Sequence, residues 1–304
     1  MKLTFFTFLI LSAIAFVSCN KHKDQPDIKQ YDQDQIKSYI ANNGLSGMQK
    51  DTTSGDTTGI WYKIITPGSG KAIEYSDQIA YVYTARSFDG KFIVSDTVVN
   101  HYDGLLGHVV PNGLMLGIHN LLKYKGGKMR VLVPSHLAYG PNGAGTGSIT
   151  TTNRIAGNQC LDYTIYLIND QVKYDELVIK NYMTANGLSG FSKTADGLYY
   201  KVTKAGNADS VINDNSSVTF NYTGKLMDNV VFDDHSATTA TFSDLAGGGI
   251  VPGFSEGLKL VRGGGAIILL IPSGLAYGPG GSSGAIPVDA CLRFDITNVV
   301  VTNY

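Results

Sequence analysis

Apolar and polar residues alternate along Val218, Phe220 and Tyr222, and again along Leu292, Phe294 and Ile296. A period of two predicts half-buried strands. Ile267–Ile271 is instead a continuous apolar run ended by Pro272, the pattern of a central strand. Tyr174–Ala185 carries Leu177, Val178, Tyr182 and Met183 at roughly helical spacing, with Asn186-Gly187 as a C-cap. A shorter helical pattern, Phe254, Leu258 and Val261, is closed by Gly263-Gly264-Gly265. These elements predict an α+β unit in which an antiparallel sheet wraps around a short helix, preceded by an added helix.

The pattern occurs twice. IKSYIANNGLSG (36–47) matches IKNYMTANGLSG (179–190), and GIWYKI answers GLYYKV. YVYTA answers FNYTG, HVVP answers GIVP, and RVLVPSHLAYGP answers ILLIPSGLAYGP. The order never changes and the offset stays between 131 and 143 residues. A period of this size is a duplicated domain and not a solenoid. The units are placed at residues 31–172 and 173–304, after a signal segment at 1–19 and a polar tether at 20–30.

Composition agrees with two domains: 304 residues, 43% hydrophobic, with 18 Tyr and 12 Phe for packed cores. Thirty-six glycines against only 16% charged residues point to a turn-rich, mostly β chain. A net charge of −1 and the lack of a basic stripe remove the electrostatic reason to expect nucleic acid. At the N-terminus Lys2 precedes the apolar run Leu3–Val17, too short to span a bilayer comfortably. The run ends in FVSC, which resembles a bacterial lipoprotein signal with Cys19 as the lipidated residue, although Phe16 departs from the usual aliphatic residue. The alternative is an ordinary secretory signal. The expected location is the bacterial cell envelope, lipid-anchored, at the outer membrane or periplasmic face. Cys160 and Cys291 fall one per unit at matching points, which argues against a disulfide within either and for small buried strand residues.

Conventional catalysts are missing from the sequence. It has no Gly-x-Ser-x-Gly elbow, no phosphate-binding loop and no Cys-x-x-Cys pair. His101, His108 and His119 have no counterparts in the second unit and no metal-ligand spacing, so they are expected to be solvated loop residues. No metal or cofactor is expected. What recurs is an aromatic and aliphatic set around one helix and one long loop. In the second unit it comprises Tyr222, Phe232, Phe242, Ile250, Val251, Phe254, Tyr277, Ile286 and Phe294, with Asp233 as the lone acid.

The stretch from Gly197 to Val300, with NYTGKLMDNVVFDD, GGGIVPGFSEGLKL and IPSGLAYGPGGSSGAIPVDACLRFDI in order, resembles the FKBP family of peptidyl-prolyl isomerases. The resemblance implies two tandem FKBP-like domains and a substrate of unfolded or proline-containing polypeptide. It implies catalytic roles for Tyr222, Asp233 and Tyr277, with the Tyr277 hydroxyl pointing at the bound amide. Phe232, Phe242, Ile250, Val251, Phe254, Ile286 and Phe294 would bind the substrate, Phe254 standing where the family has a floor tryptophan. The family's loop histidine is replaced by Ser282 or Ser283, and its pocket arginine has no clear counterpart between Asp233 and Phe242. The first unit keeps Tyr83, Val109, Val110, Tyr139, Ile155 and Tyr163, but Ile93 and Val94 stand where Phe-Asp should be. Asp96 substitutes only with a shifted loop. The floor becomes Leu116 if a three-residue insertion follows Pro111.

These residue types suit rotation about an X–Pro bond. Its barrier, roughly 18–20 kcal/mol, comes from amide resonance, and no bond is broken. A dry groove favours the twisted amide, and each 1.36 kcal/mol or so of preference gives tenfold in rate. The expected function is isomerisation of X–Pro bonds in exported proteins, with a degenerate first unit. The alternative is a non-catalytic chaperone or binding module using the same grooves. The added helices leave room for an oligomer.

Overall fold

The computed structural model describes residues 27–53, 55–95, 101–146, 154–243, 245, 249–282 and 284–302. Cys19, Asp96 and Ser283 lie outside the described residues. The first unit runs α1 (Ile28–Asn42), β1 (Gln49–Lys50), β2 (Trp61–Thr66), β3 (Gln78–Ser87), β4 (Ile93–Val94), β5 (His101–Leu105), α2 (Asn112–Gly117), β6 (Lys128–Val133) and β7 (Leu161–Ile168). The second repeats it with α3 (Gln171–Ala185), β8 (Ser192–Lys193), β9 (Tyr199–Lys204), β10 (Ser217–Leu226), β11 (Val231–Asp234), β12 (Ala240–Phe242), α4 (Pro252–Lys259), β13 (Ala266–Ile271) and β14 (Leu292–Thr302). The strand orders match: β1-β2-β6-β7-β3-β4 with β5 against β3, and β8-β9-β13-β14-β10-β11 with β12 against β10. All pairings are antiparallel.

The alternation on β10 turns Val218, Phe220 and Tyr222 onto the concave face, where β14 adds Leu292, Phe294 and Ile296. α4 lies in this concavity because Gly253, Phe254, Gly257 and Leu258 share one buried face while Lys259 stays outside. Each large apolar side chain buried this way contributes about 1.5–3 kcal/mol. The first unit buries Ile79, Tyr81, Leu114, Ile118, Val131 and Ile165 in the same arrangement.

Both added helices start a little before the boundaries read at residues 31 and 173. Aspartates set the starts, not the first apolar residue: Asp27 accepts from the Lys29 amide at 3.3 Å and Asp170 from the Lys173 amide at 3.1 Å. A second aspartate in each helix pins it to its unit. Asp32, fully buried, accepts from the Ser135 hydroxyl at 2.7 Å, from the His136 amide at 3.2 Å and from His136 Nδ1 at 2.7 Å. Asp175 accepts from the Ser273 hydroxyl at 2.7 Å and its amide at 2.8 Å. Burial pushes the Asp175 carboxyl up, against the pull of these donors. The serines belong to PSHLAYGP and PSGLAYGP, so the longest repeated words of the sequence include the sockets for the repeated helices. Cys160 and Cys291 are buried beside the two aspartates, just ahead of β7 and β14, and are not bonded to each other. Burial pushes both thiols up.

The units touch through α3. The Tyr174 ring lies 6.0 Å from both His101 and Tyr166 of the first unit. The buried Asp289 carboxyl lies near Asp103 on β5, and its pKa is pushed up to about 7 by burial and by that neighbour's charge. A cleft of about 750 Å³ beside this contact is lined by Val82, Thr164, Tyr166, Leu177 and Tyr182.

Candidate functional site

In the second unit an aromatic cluster packs where β10 and β14 bend around α4. Phe254, the third residue of α4, meets Phe294 edge-on at 4.7 Å and Tyr222 at 5.9 Å. Phe242 stacks on Phe220 at 5.6 Å, and Phe232 meets Phe294 edge-on at 5.6 Å. Aromatic pairs of this geometry contribute about 0.5–1.5 kcal/mol beyond their buried area. Phe232 takes this place because β10 has Gly224 opposite Asp233, and a side chain at Gly224 would strike both Phe232 and Phe294. Ile250 and Val251 lead into α4, half-buried, and pack on the same core.

One edge of the cluster is polar. The Tyr222 hydroxyl donates to Asp233 Oδ2 at 2.5 Å. Burial, then Asp233, push this hydroxyl up, which keeps it a donor. Tyr277 stands 43% exposed at the mouth and interacts electrostatically with Tyr222. The loop after it turns back at Gly281, with φ of +58°, so that Ser282 and Ile286 exchange backbone hydrogen bonds of 2.8 and 3.1 Å and Ile286 is buried as a wall. A Cβ at Gly281 would strike the Ile286 carbonyl. Eight of the residues read from the sequence thus pack in one cluster, with Asp233 hydrogen-bonded to its Tyr222 and Tyr277 near Tyr222.

Sequence reasoning missed His235. Its ring stacks on Tyr222 at 5.0 Å, and its Nε2 lies 3.5 Å from Asp233 Oδ1. Where the sequence offered no arginine between Asp233 and Phe242, this histidine stands beside the acid. The signal was its position two residues after Asp233, on the turn leaving β11.

The first unit holds a groove of about 200 Å³ at the same place, lined by Tyr83, Val110, Leu114, Tyr139, Ile155 and Tyr163 among others. Two expectations need correction. The floor residue is Leu114 and not Leu116: like Phe254 it is the third residue of its helix, and it is buried in the groove while Leu116 is half-buried off it. The insertion after Pro111 is therefore shorter than three residues. His101 is not a solvated loop residue either, since it sits on β5 and lines this groove. His108 is exposed, and His119 is half-buried with its ring stacked on Tyr75 at 4.1 Å. Val109 is buried beneath the groove, while Val110 is 71% exposed at its rim.

The register agrees with the reading of the missing acid. Ala85 lies opposite Val94 as Gly224 lies opposite Asp233, so a valine holds the acid's position. The Ala85 methyl takes the space that Gly224 leaves free, and Phe92, not Ile93, lines the groove. Tyr81 and Tyr163 replace Phe220 and Phe294, and Tyr102 adds a third hydroxyl. Burial pushes the hydroxyls of Tyr81 and Tyr163 up, with Tyr139 and Tyr83 close to Tyr163. Among the described residues no group of three or more His, Cys, Asp or Glu is placed to hold a metal ion.

Each unit is thus a curved antiparallel sheet closed on one short helix, with aromatic residues gathered against that helix. Residues 209–299 match the family described as FKBP-type peptidyl-prolyl cis-trans isomerase. The match spans most of the second unit, from just before β10 to β14. The chain is 39% identical over 107 residues to FkpA of Escherichia coli K12, covering 35% of this chain and 38% of that protein. It is 27% identical over 245 residues to mouse FKBP9, covering 79% of this chain and 38% of that protein. The crystal structure of FkpA from Escherichia coli matches 44% of this chain and 62% of its own at 31% identity, with a TM-score of 0.38. The chain thus spans 38% of the length of these curated relatives.

Proposed function

We propose that the chain is a peptidyl-prolyl cis-trans isomerase whose working groove is that of the second unit. The observation that carries this reading is the Tyr222–Asp233 pair with Tyr277, set as a polar edge over a floor of phenylalanines. The apolar floor receives the proline ring and favours the twisted amide, whose charge separation is smaller than that of the planar one. Tyr277 donates to the carbonyl of the bound residue, and Tyr222 holds Asp233 at the rim. No acid, base or nucleophile enters, because rotation moves no proton and breaks no bond.

The test is cis–trans exchange of a short X–Pro peptide followed by NMR with the full chain. Asp233→Ala combined with Tyr277→Phe is expected to lower the acceleration at least tenfold while Tyr139→Phe in the first unit leaves it nearly unchanged. An unaltered rate in the double variant rejects the assignment. The second reading, a holding module without turnover, draws its support from the first groove, which is formed but lacks the acid. It predicts suppressed aggregation of an unfolded client with no accelerated exchange.

The setting proposed is the bacterial envelope, with exported chains as clients and Cys19 as lipid anchor. X–Pro isomerisation takes tens of seconds uncatalysed, slow enough to limit folding there. The support is the apolar run ending in FVSC. Cys19→Ser is expected to move the protein from the membrane fraction to the soluble one.

A further inference from the structure

His235 is held beside the acid of the second unit by four contacts, one of them to the acid itself. Its ring stacks on Tyr222 with an interplanar angle of 25°. Its backbone amide donates to the Tyr222 carbonyl at 2.8 Å. Nε2 faces Asp233 Oδ1, the oxygen that Tyr222 leaves free, since the tyrosine hydroxyl uses Oδ2. Nδ1 lies 3.2 Å from the Thr238 hydroxyl. A hydroxyl both donates and accepts, so Thr238 serves the ring whether or not the imidazole is charged. The turn itself is held from β10, where the Asn221 amide donates to the carbonyls of His235 and Thr238 at 3.1 and 2.8 Å. The ring therefore keeps its place while its charge changes. The titratable groups around it are Asp233 and Asp234 on β11 and Tyr222 on β10, with Tyr277 behind Tyr222.

We propose that His235 sets the charge of the second groove and, through it, which X–Pro segments the groove prefers. Protonated, the imidazole pairs with Asp233 and cancels its charge. Neutral, it leaves Asp233 a lone anion at the rim, which favours segments carrying a cationic residue beside the proline and disfavours acidic ones. The inference rests on the proposed isomerase reading and deepens it. A histidine is the side chain whose ordinary charge change falls between pH 5 and 8, so the preference becomes a function of pH. An arginine at this place would hold one charge throughout.

The experiment uses the full chain and two peptides that differ only in Lys or Glu beside the X–Pro bond. Neither peptide side chain changes charge between about pH 5.5 and 8. The Lys-over-Glu ratio of kcat/KM is expected to rise about 25-fold across that range, from a fivefold attraction for Lys and a fivefold repulsion for Glu, each the size of one unit-charge interaction over some 4 Å of water. The rise is expected to track the imidazole signals of His235 in the NMR spectrum. H235Q is expected to hold the ratio at its high-pH value and H235R at its low-pH value. A ratio independent of pH in the parent chain, or a pH dependence that survives in H235Q, overturns the inference. Binding of the same peptides, read from chemical-shift changes, separates the two readings. A pH-dependent Lys-over-Glu affinity without accelerated exchange overturns the isomerase reading alone. A pH-independent affinity and rate overturn the role of His235.

Discussion

The two units share their strand order, their buried helix aspartates and the turn after LAYGP, yet their grooves are built from different residues. The second is floored by Phe254 and walled by Phe232, Phe242 and Phe294, with one acid at its edge. The first has Leu114 as floor and Tyr81, Tyr83, Tyr102, Tyr139 and Tyr163 around it, with Val94 where the acid would be. Duplicated chains keep what folding requires and are free to change what binding requires. The Asp32–Ser135 and Asp175–Ser273 hydrogen bonds recur in both because an unpaired buried hydroxyl or carboxylate is costly anywhere. A phenylalanine at a groove floor carries no such obligation.

The sharpest test of the shared part is Asp32→Ala against Asp175→Ala. Each strands buried donors, so each is expected to cost about 3 kcal/mol of stability in its own unit, read by urea unfolding. A loss in only one unit would show that the sockets are not equivalent.

The contact between the units responds to pH. The Asp289 carboxyl sits near 7 in the folded chain, raised first by burial and then by Asp103, against about 4 unfolded. The folded state therefore holds a proton that the unfolded state has released between these values. The stability from this pair is complete below the unfolded value and is lost as pH rises through about 7. Asp289→Asn is expected to raise stability by on the order of 4 kcal/mol at pH 8 and little at pH 4, as thermal unfolding at the two pH values would reveal.

Converting one groove toward the other is a smaller perturbation. Phe254→Leu puts the first unit's floor residue into the second and is expected to cost about 1.5 kcal/mol and tenfold in exchange rate. If the rate is unchanged, the floor aromatic is not what separates the grooves. The smallest effect is that of Tyr163→Phe, which removes a buried hydroxyl from the lining of the first groove. It is expected to change the stability of the first unit by no more than about 1 kcal/mol without touching exchange by the second. A fall in exchange would place the working groove in the first unit instead.

Much of this was legible in the chain. The α3 C-cap falls at Asn186, and β10, β13 and β14 fall where the alternation and the apolar run placed them. The groove residues of the second unit converge because they follow a motif of fixed order. Leu114 was misread because one helix alone does not show how many residues are inserted before it. Only the packing under β6 and the groove lining decide that. His101 was read as solvated because its strand is recognised by pairing with β3 and not by its own composition.

The sequence by itself determined the duplication, the α+β elements and the family resemblance of the second unit, since repeats, periodicity and ordered motifs are local and survive without any contact being known. The tertiary structure alone decided that His235 meets Asp233, that Asp103 meets Asp289, and that the repeated serines are sockets for the added helices. These pairings join residues far apart in the chain or on opposite sides of a turn, and their energies depend on burial and distance, which a string of residues does not carry.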